Sequence, residues 1–128
     1  VAQRCVYATR PLVSYAAGLV GDPQVRHRGT IGGSLAHGDP ASDLPTVCLA
    51  LDAVIVARGP GGERAIDASG FFNGFFETAL ADDEIITEIR VPKTGGQGWS
   101  YLKFRQRALD WPTVGMAAVV GASNGTIQ

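Results

Sequence analysis

Residues 26–45 read RHRGTIGGSLAHGDPASDLP, and the apolar run TVCLAL follows at 46–51. The first stretch is rich in glycine, proline and small polar residues, so it is poor material for a helix or a long strand. The run after it has the apolar period of a helix, with Asp43 in the first turn. The apolar positions of that helix are Leu44, Val47, Cys48 and Leu51. We therefore expect an irregular segment that leads directly into a buried helix.

The composition predicts one globular domain. The chain has 128 residues, 45% of them hydrophobic, which is enough for a core. A net charge of −1 argues against nucleic acid or an anionic membrane as a partner, and no apolar run approaches the roughly 20 residues of a membrane span. Cys5 and Cys48 form no CxxC pair, so we expect two reduced thiols and a cytoplasmic protein.

The segments on either side of the glycine-rich stretch predict an α+β fold with mostly antiparallel strands. A first helix is expected from Pro11, with Thr9 as its cap and Gly21 as its end. Its apolar face would contain Leu12, Tyr15, Ala16 and Leu19. Two helices followed by four or five strands, without βαβ alternation, favour α+β over a doubly wound sheet.

The strands are predicted from alternation and from turn residues. Residues 53–57 and 63–66 flank the turn GPGG and predict a hairpin. A further strand is expected at 84–91, with Ile85, Thr87, Ile89 and Val91 on one face. Alternation also predicts a strand at 99–106, and a buried strand is expected at 113–122 before a turn at Asn124-Gly125. Four phenylalanines are expected in the core, namely Phe71, Phe72, Phe75 and Phe76.

The segment TIGGS at 30–34 is the sharpest local feature. Adjacent glycines permit positive φ angles, so successive N–H groups could form an anion nest that holds a phosphate or pyrophosphate. Thr30 and Ser34 would add hydroxyl donors. A plain structural turn explains the same residues, because no P-loop lysine and no GxGxxG pattern accompany them.

Other polar residues predict no side-chain chemistry. His27 and His37 lack neighbours at metal-ligand spacing, so no metal site is expected. Asp39 and Asp43 suit a pair that caps a helix N-terminus. No nucleophile–base pattern occurs, so the residues alone favour a binding role.

The block GDPQVRHRGTIGGSLAHGDPASDLPTVCLALDA resembles the flavin-binding subunits of the molybdenum hydroxylases, of the carbon monoxide dehydrogenase and xanthine dehydrogenase type. The resemblance continues through FFNGFFETAL, DDEIITEIRVP and SYLKFRQRALDWPTVGMAAV, and so covers nearly the whole chain. It implies the central lobe of an FAD-binding domain like that of vanillyl-alcohol oxidase and p-cresol methylhydroxylase. FAD would be the cofactor.

The resemblance also implies site residues. The family's second double-glycine motif, which approaches the FAD pyrophosphate, is matched by Thr30, Ile31, Gly32, Gly33 and Ser34. Asp43 matches the aspartate in the flavin site, where capping of the helix is the alternative. Ile86 and Arg105 match positions beside the flavin ring, and the family often has Asn or Asp where Ser34 stands and lysine where Arg105 stands.

The family's AGGxS-like first motif and its C-terminal helical domain have no counterpart in this sequence. We therefore expect residues 1–128 to be a single domain and a fragment, namely the second FAD-binding subdomain. Its parent would pass electrons from iron–sulfur clusters through flavin to an acceptor, together with an iron–sulfur small subunit and a molybdopterin large subunit. The alternative is a non-catalytic interaction domain that has lost flavin, and the isolated chain could self-associate.

Overall fold

The computed structural model describes residues 10–123 and 126–127. Within these described residues, four helices come first, and short strands follow. The helices are α1 (Pro11–Gly18), α2 (Pro23–Arg28), α3 (Ile31–His37) and α4 (Asp43–Ala50). The strands are β1 (Val54–Gly59), β2 (Gly62–Asp67), β3 (Phe72–Gly74), β4 (Glu77–Thr78), β5 (Ile85–Arg90), β6 (Gly98–Phe104), β7 (Val114–Val120), β8 (Ala122–Ser123) and β9 (Thr126–Ile127), with a 3₁₀ turn at Ala68–Gly70 before β3. All described strand pairs are antiparallel, which confirms the predicted α+β class.

The central sheet has three strands in the order β2-β1-β5. The predicted hairpin is confirmed, because β1 and β2 pair across the glycine-rich turn with Gly59 opposite Gly62. β1 is the middle strand, and its residues Ile55, Val56 and Ala57 are all buried. A run of apolar residues without alternation is what a strand covered on both faces requires.

The predicted face of β5 is confirmed at Ile89 and Val91 but wrong at Ile85 and Thr87, because a β-bulge interrupts the alternation. Val56 pairs with Glu88 and Ala57 pairs with Ile86, which leaves Thr87 as the extra residue. Ile85 is consequently 67% exposed. Ile86 replaces Ile85 on the face that packs against the core with Ile89 and Val91.

β6 and β7 form a separate two-stranded ribbon. The alternation predicted for β6 is confirmed, since Trp99 and Tyr101 face the core and Leu102 and Phe104 face outward. The strand predicted at 113–122 is confirmed as β7, but the prediction that it is buried is wrong for one of its faces. Its outward residues are exposed because only one face of the ribbon packs on the helices; they are Val114, Met116 and Val120.

α1 and α4 pack against one another and against the ribbon. The helical spacing predicted for α4 is confirmed, with Val47 and Cys48 fully buried. α1 begins at Pro11 as predicted but ends at Gly18, before Gly21, and the proposed cap Thr9 lies outside the described residues. The core comprises Leu12, Val13, Ala16, Leu35, Leu44, Val47, Cys48, Leu51, Ala53, Ile55, Ala68, Phe71 and Tyr101. Tyr15 departs from its predicted place, because it is half-exposed and its ring lies 5.7 Å from that of Trp99.

The four phenylalanines do not share the core as predicted. Phe71 is fully buried and Phe72 is half-buried, and their rings meet edge to face at 5.0 Å. Phe75 is 81% exposed and Phe76 is 57% exposed. The reason is the tight β3–β4 hairpin, which carries these two residues at its tip with Phe76 at a φ of 57°.

The glycine-rich stretch is helical, contrary to the prediction that it is irregular. Asp22 caps α2 by accepting a hydrogen bond from Val25 N at 2.9 Å, and Thr30 caps α3 by accepting one from Gly33 N at 3.0 Å. Gly38 ends α3 in the left-handed conformation, with a φ of 64°. The turn residues of this stretch thus mark the ends of two short helices. The turn predicted at Asn124-Gly125 and the thiol of Cys5 lie outside the described residues, whereas Cys48 is a free, buried thiol.

Candidate functional site

The segment 30–34 forms the N-terminus of α3. Of the two alternatives left open there, the anion nest is not formed, because neither Gly32 nor Gly33 is among the glycines with a positive φ. A helix N-terminus offers backbone donors in a different way, since its first N–H groups have no intrahelical acceptor. Gly33 N donates to the Thr30 hydroxyl oxygen, whereas within the described residues Ile31 N and Gly32 N have no acceptor.

The space around this helix start differs between the two glycines. A Cβ atom placed on Gly32 would meet nothing within 4 Å. A Cβ atom on Gly33 would lie 3.0 Å from Thr30 Oγ1, the atom that caps the helix. The backbone is therefore accessible at Gly32, whereas the missing side chain at Gly33 leaves space for the capping oxygen of Thr30.

Positive charge precedes the helix start. The last turn of α2 contains Arg26, His27 and Arg28, and all three are exposed. Arg26 is held by hydrogen bonds to Val20 O at 2.9 Å and Gly21 O at 3.2 Å. Two arginines in the turn before α3 add positive charge to a helix start that has free N–H groups, a combination that favours an anionic ligand.

Ser34 connects α3 to the start of α4. Ser34 Oγ and Ser42 Oγ are 2.6 Å apart, so one hydroxyl donates to the other. The intervening turn is closed by Asp39, whose Oδ1 accepts from Ala41 N at 2.8 Å. The prediction that Asp39 caps a helix is wrong, because its carboxylate closes the turn before Ser42, which is the N-cap position of α4.

Asp43 does not cap α4 either. Its side chain is 4% exposed and turns into the interior, where Oδ1 accepts from the Tyr101 hydroxyl at 2.6 Å and Oδ2 accepts from Lys103 Nζ at 2.8 Å. Lys103 Nζ also donates to Leu19 O at 2.9 Å, just after α1. The carboxylate is thus satisfied by two residues of β6.

Sequence reasoning missed Tyr101 and Lys103. Both lie on the inward face of β6, and a lysine on the core side of an alternating strand was a usable signal of a buried anion. Burial, and then the hydrogen bond to Asp43, raise the pKa of Tyr101, so this hydroxyl stays protonated and donates. Gly115 provides the space, because a Cβ there would lie 2.9 Å from the Tyr101 hydroxyl oxygen.

The remaining predicted residues lie on two other elements. Ile86 is half-buried on β5, and α3 packs against that strand. Arg105 is half-buried and follows the last residue of β6. Strand alternation places it on the same side as Lys103, two positions earlier. The structure therefore packs β5, the strand of Ile86, against α3, which we call the glycine helix. It also joins β6, the strand before Arg105, to Asp43.

A cavity of about 230 Å³ opens between the turn before α4 and the start of β7. It is lined by Pro40, Ala41, Ser42, Thr46, Pro112, Thr113 and Gly115. Sites for small ligands and cofactors usually span about 300–1,000 Å³. This cavity is accordingly too small to enclose a dinucleotide.

The histidines lie apart from any metal-binding group. Among residues 10–123 and 126–127, no three His, Cys, Asp or Glu side chains lie close enough to hold a metal ion. The ring of His37 contacts that of Phe76, with centroids 5.1 Å apart. Within the same described part of the chain, no helix is long and apolar enough to cross a membrane.

Comparisons with known proteins agree with this architecture. Residues 1–94 match the family described as the FAD binding domain in molybdopterin dehydrogenase. The carbon monoxide dehydrogenase medium chain of Hydrogenophaga pseudoflava is 46% identical over 124 residues, which are 96% of this chain and 43% of the relative. The nicotine 6-hydroxylase medium subunit of Paenarthrobacter nicotinovorans is 39% identical over 118 residues, which are 92% of this chain and 41% of the relative.

Solved structures show the same fold. The carbon monoxide dehydrogenase of Hydrogenophaga pseudoflava superposes with a TM-score of 0.91 at 48% identity, over 95% of this chain and 43% of that chain. Quinoline 2-oxidoreductase from Pseudomonas putida superposes with a TM-score of 0.89 at 28% identity, over 96% of this chain and 43% of that chain. The chain thus spans less than half the length of these relatives. The predicted resemblance, fold and FAD cofactor are confirmed, and the chain belongs to the family of FAD binding domains in molybdopterin dehydrogenases.

Proposed function

We propose that this chain holds FAD in an oxidoreductase of the molybdenum-hydroxylase type. The flavin would receive electrons from iron–sulfur clusters and pass them to an acceptor. The observation that carries the proposal is the open N-terminus of α3, at the motif by which the chain resembles its family.

The residues of this helix start fit a pyrophosphate. Ile31 N and Gly32 N supply two donors, and the Thr30 hydroxyl hydrogen is a third, since its oxygen serves as the cap acceptor. The bare surface of Gly32 permits close approach. Arg26 and Arg28, in the turn before α3, would supply positive charge to an anion that carries two phosphates. Gly33 and Ser34 support this arrangement through the cap and through the bond to Ser42.

Three other residues complete the proposed site. The backbone near Ile86 and the Arg105 side chain would both lie beside the flavin ring, as the resemblance implies. Asp43 is internally paired on both oxygens, so its contribution would be indirect. Bound FAD would supply the electron-transfer chemistry, and the protein would bind and orient it.

The partners of such an oxidoreductase are also part of the proposal. Relatives are named as medium chains or subunits, so they belong to enzymes of several chains. We infer that an iron–sulfur small subunit and a molybdopterin large subunit would join this one. A cytoplasmic location remains a prediction.

A second candidate is an interaction domain without flavin. The outer face of the β6–β7 ribbon favours it, because large apolar side chains lie exposed there. They are Leu102, Phe104, Val114, Met116 and Val120. Such a face could support self-association of the chain.

FAD titration followed by flavin fluorescence separates the two candidates. Residues 1–128 match only one of the family's two glycine motifs, so we expect saturable binding with a dissociation constant above about 1 µM. Submicromolar affinity would contradict the expected weakness. No saturable binding at about 1 mM, in a chain whose circular dichroism shows it folded, would leave the interaction domain as the better reading.

A chimera with a relative provides a second and decisive test of FAD binding. The 124 matched residues would replace their counterparts in the Hydrogenophaga pseudoflava medium chain, to which they are 46% identical. We expect that chimera to be purified with stoichiometric FAD. A folded chimera without flavin would contradict the proposed function.

A further inference from the structure

The Asp43–Lys103–Tyr101 cluster joins three elements at one buried point. Lys103 Nζ donates both to Asp43 Oδ2 at 2.8 Å and to Leu19 O at 2.9 Å, so it links β6, α4 and the end of α1. The side chains of Asp43 and Lys103 are each only 4% exposed. Tyr101 holds the other carboxylate oxygen at 2.6 Å. Every polar group of this cluster has a partner inside the protein.

The cluster continues to the glycine helix through the chain itself. Asp43 follows Ser42, and Ser42 Oγ lies 2.6 Å from Ser34 Oγ on α3. In the other direction, Arg105 follows Lys103 by two positions at the end of β6. A path of hydrogen bonds and backbone bonds thus connects Ser34 on the glycine helix with the strand that leads to Arg105.

The cluster also neutralises the charge of the Asp43 carboxylate. A bare carboxylate near the glycine helix would oppose an anionic cofactor, whereas Lys103 neutralises Asp43 at 2.8 Å. Buried ion pairs contribute little net stability compared with well-packed apolar side chains, but their directional bonds can fix one arrangement. Stability alone is therefore a weak reason for this pair.

We propose that Lys103 and Tyr101 are positioning residues for FAD: through Asp43 they fix the start of α4, and through the Ser42–Ser34 bond they fix α3 relative to Arg105. The proposal rests on the proposed FAD-binding function. Asp43 then acts on the cofactor through the backbone it anchors. This indirect role differs from a direct contact between the Asp43 carboxylate and the flavin.

Hydrogen exchange tests the positioning without any cofactor. Lys103→Met removes the ammonium and keeps most of the side-chain volume, and Lys93→Met is the matched control because Lys93 is exposed in a loop. We expect amide exchange at residues 31–38 to rise about tenfold or more in Lys103→Met, with the β1–β2 hairpin unchanged. Lys93→Met should match the wild type throughout. Unchanged exchange at 31–38 in Lys103→Met would overturn the proposal.

FAD binding supplies the second measurement. Lys103→Met should raise the FAD dissociation constant about tenfold or more, although Lys103 has no surface for a cofactor. Ser42→Ala breaks the same path at the bond between Ser42 and Ser34, so its effect on FAD affinity should not add to that of Lys103→Met. Additive effects would contradict a shared path. If Lys103→Met fails to fold, the double variant Asp43→Leu, Lys103→Met removes both charges, and it should fold while retaining the weak affinity and the fast exchange.

The two measurements separate this proposal from the function on which it rests. If the wild type binds no FAD but Lys103→Met loosens residues 31–38, the proposed function fails and the positioning of α3 stands. If the wild type binds FAD and Lys103→Met binds it equally well, the positioning role fails and the function stands.

Discussion

Gly32→Ala is the sharpest test of the glycine helix, because it changes the surface without disturbing the fold. The added methyl group meets no atom within 4 Å, and the backbone at Gly32 does not have a positive φ. Alanine is a better helix former than glycine by about 1 kcal/mol. The free energy of unfolding should therefore stay the same or rise by up to about 1 kcal/mol.

The expected loss is in FAD affinity. The methyl group occupies the space through which a phosphate oxygen would reach Ile31 N and Gly32 N. Each charge-assisted hydrogen bond contributes roughly 1.5–3 kcal/mol, so weakening even one of them costs about 1.4 kcal/mol or more. That corresponds to a dissociation constant raised about tenfold or more.

The assay is FAD titration by flavin fluorescence, together with chemical denaturation of both proteins. Gly18→Ala is the matched control, since Gly18 lies in α1 and its added Cβ also meets nothing within 4 Å. Gly33→Ala is less clean, because its Cβ would lie 3.0 Å from the capping oxygen of Thr30. A stable Gly32→Ala protein that binds FAD as well as the wild type would refute the assignment of this helix start to the pyrophosphate.

Three further predictions concern the fold. Phe71→Ala should lower the free energy of unfolding by about 3–5 kcal/mol, because Phe71 is fully buried, whereas Phe75→Ala should change it by about 0.5 kcal/mol or less in the same denaturation assay. Hydrogen bonds from the Arg64 side chain and then from Ala81 N lower the pKa of Glu84 to about 2, so the stability that this carboxylate contributes above pH 4.5 should be lost between pH 4.5 and 2. Glu84→Gln should remove that part of the acid dependence of unfolding, and a variant with the same pH profile as the wild type would contradict the prediction. Burial raises the pKa of Cys48 to about 11, so a maleimide at pH 8 should label this thiol, followed by peptide mass, only when the chain unfolds.

Elements with a strong period were predictable from the sequence. The spacing of apolar residues identified α4, and the turn GPGG between two short strands identified the β1–β2 hairpin. The glycine-rich stretch was misjudged because propensity counts every glycine against a helix. The caps Asp22 and Thr30, together with the packing of α3 on β5, outweigh that local preference.

The interior of the site was beyond prediction. Asp43 meets Tyr101 and Lys103 across 58 and 60 positions of sequence, so its partners depend on how β6 packs against α4. A sequence pattern identifies a carboxylate at a helix start but not the side chains that donate hydrogen bonds to it. The single domain of residues 1–128 stays a prediction, as do the roles of Ile86 and Arg105.

Local strand geometry explains the other errors. Alternation assigns faces only while the register is regular, and the bulge at Thr87 exchanges the faces of Ile85 and Ile86. Likewise, four phenylalanines within six positions look like core residues, but the tight β3–β4 hairpin turns Phe75 and Phe76 to solvent.

The outer face of the β6–β7 ribbon governs how the protein behaves in concentrated solution. Leu102, Phe104 and Met116 lie there in register, with Leu102 opposite Met116, so attraction between copies is short-ranged and apolar. The net charge of −1 at pH 7 provides almost no long-range repulsion against it. Precipitation should therefore be easiest near the isoelectric point of about 6.1 and in sulfate, which strengthens apolar burial, whereas a more alkaline buffer without sulfate should keep the protein dispersed.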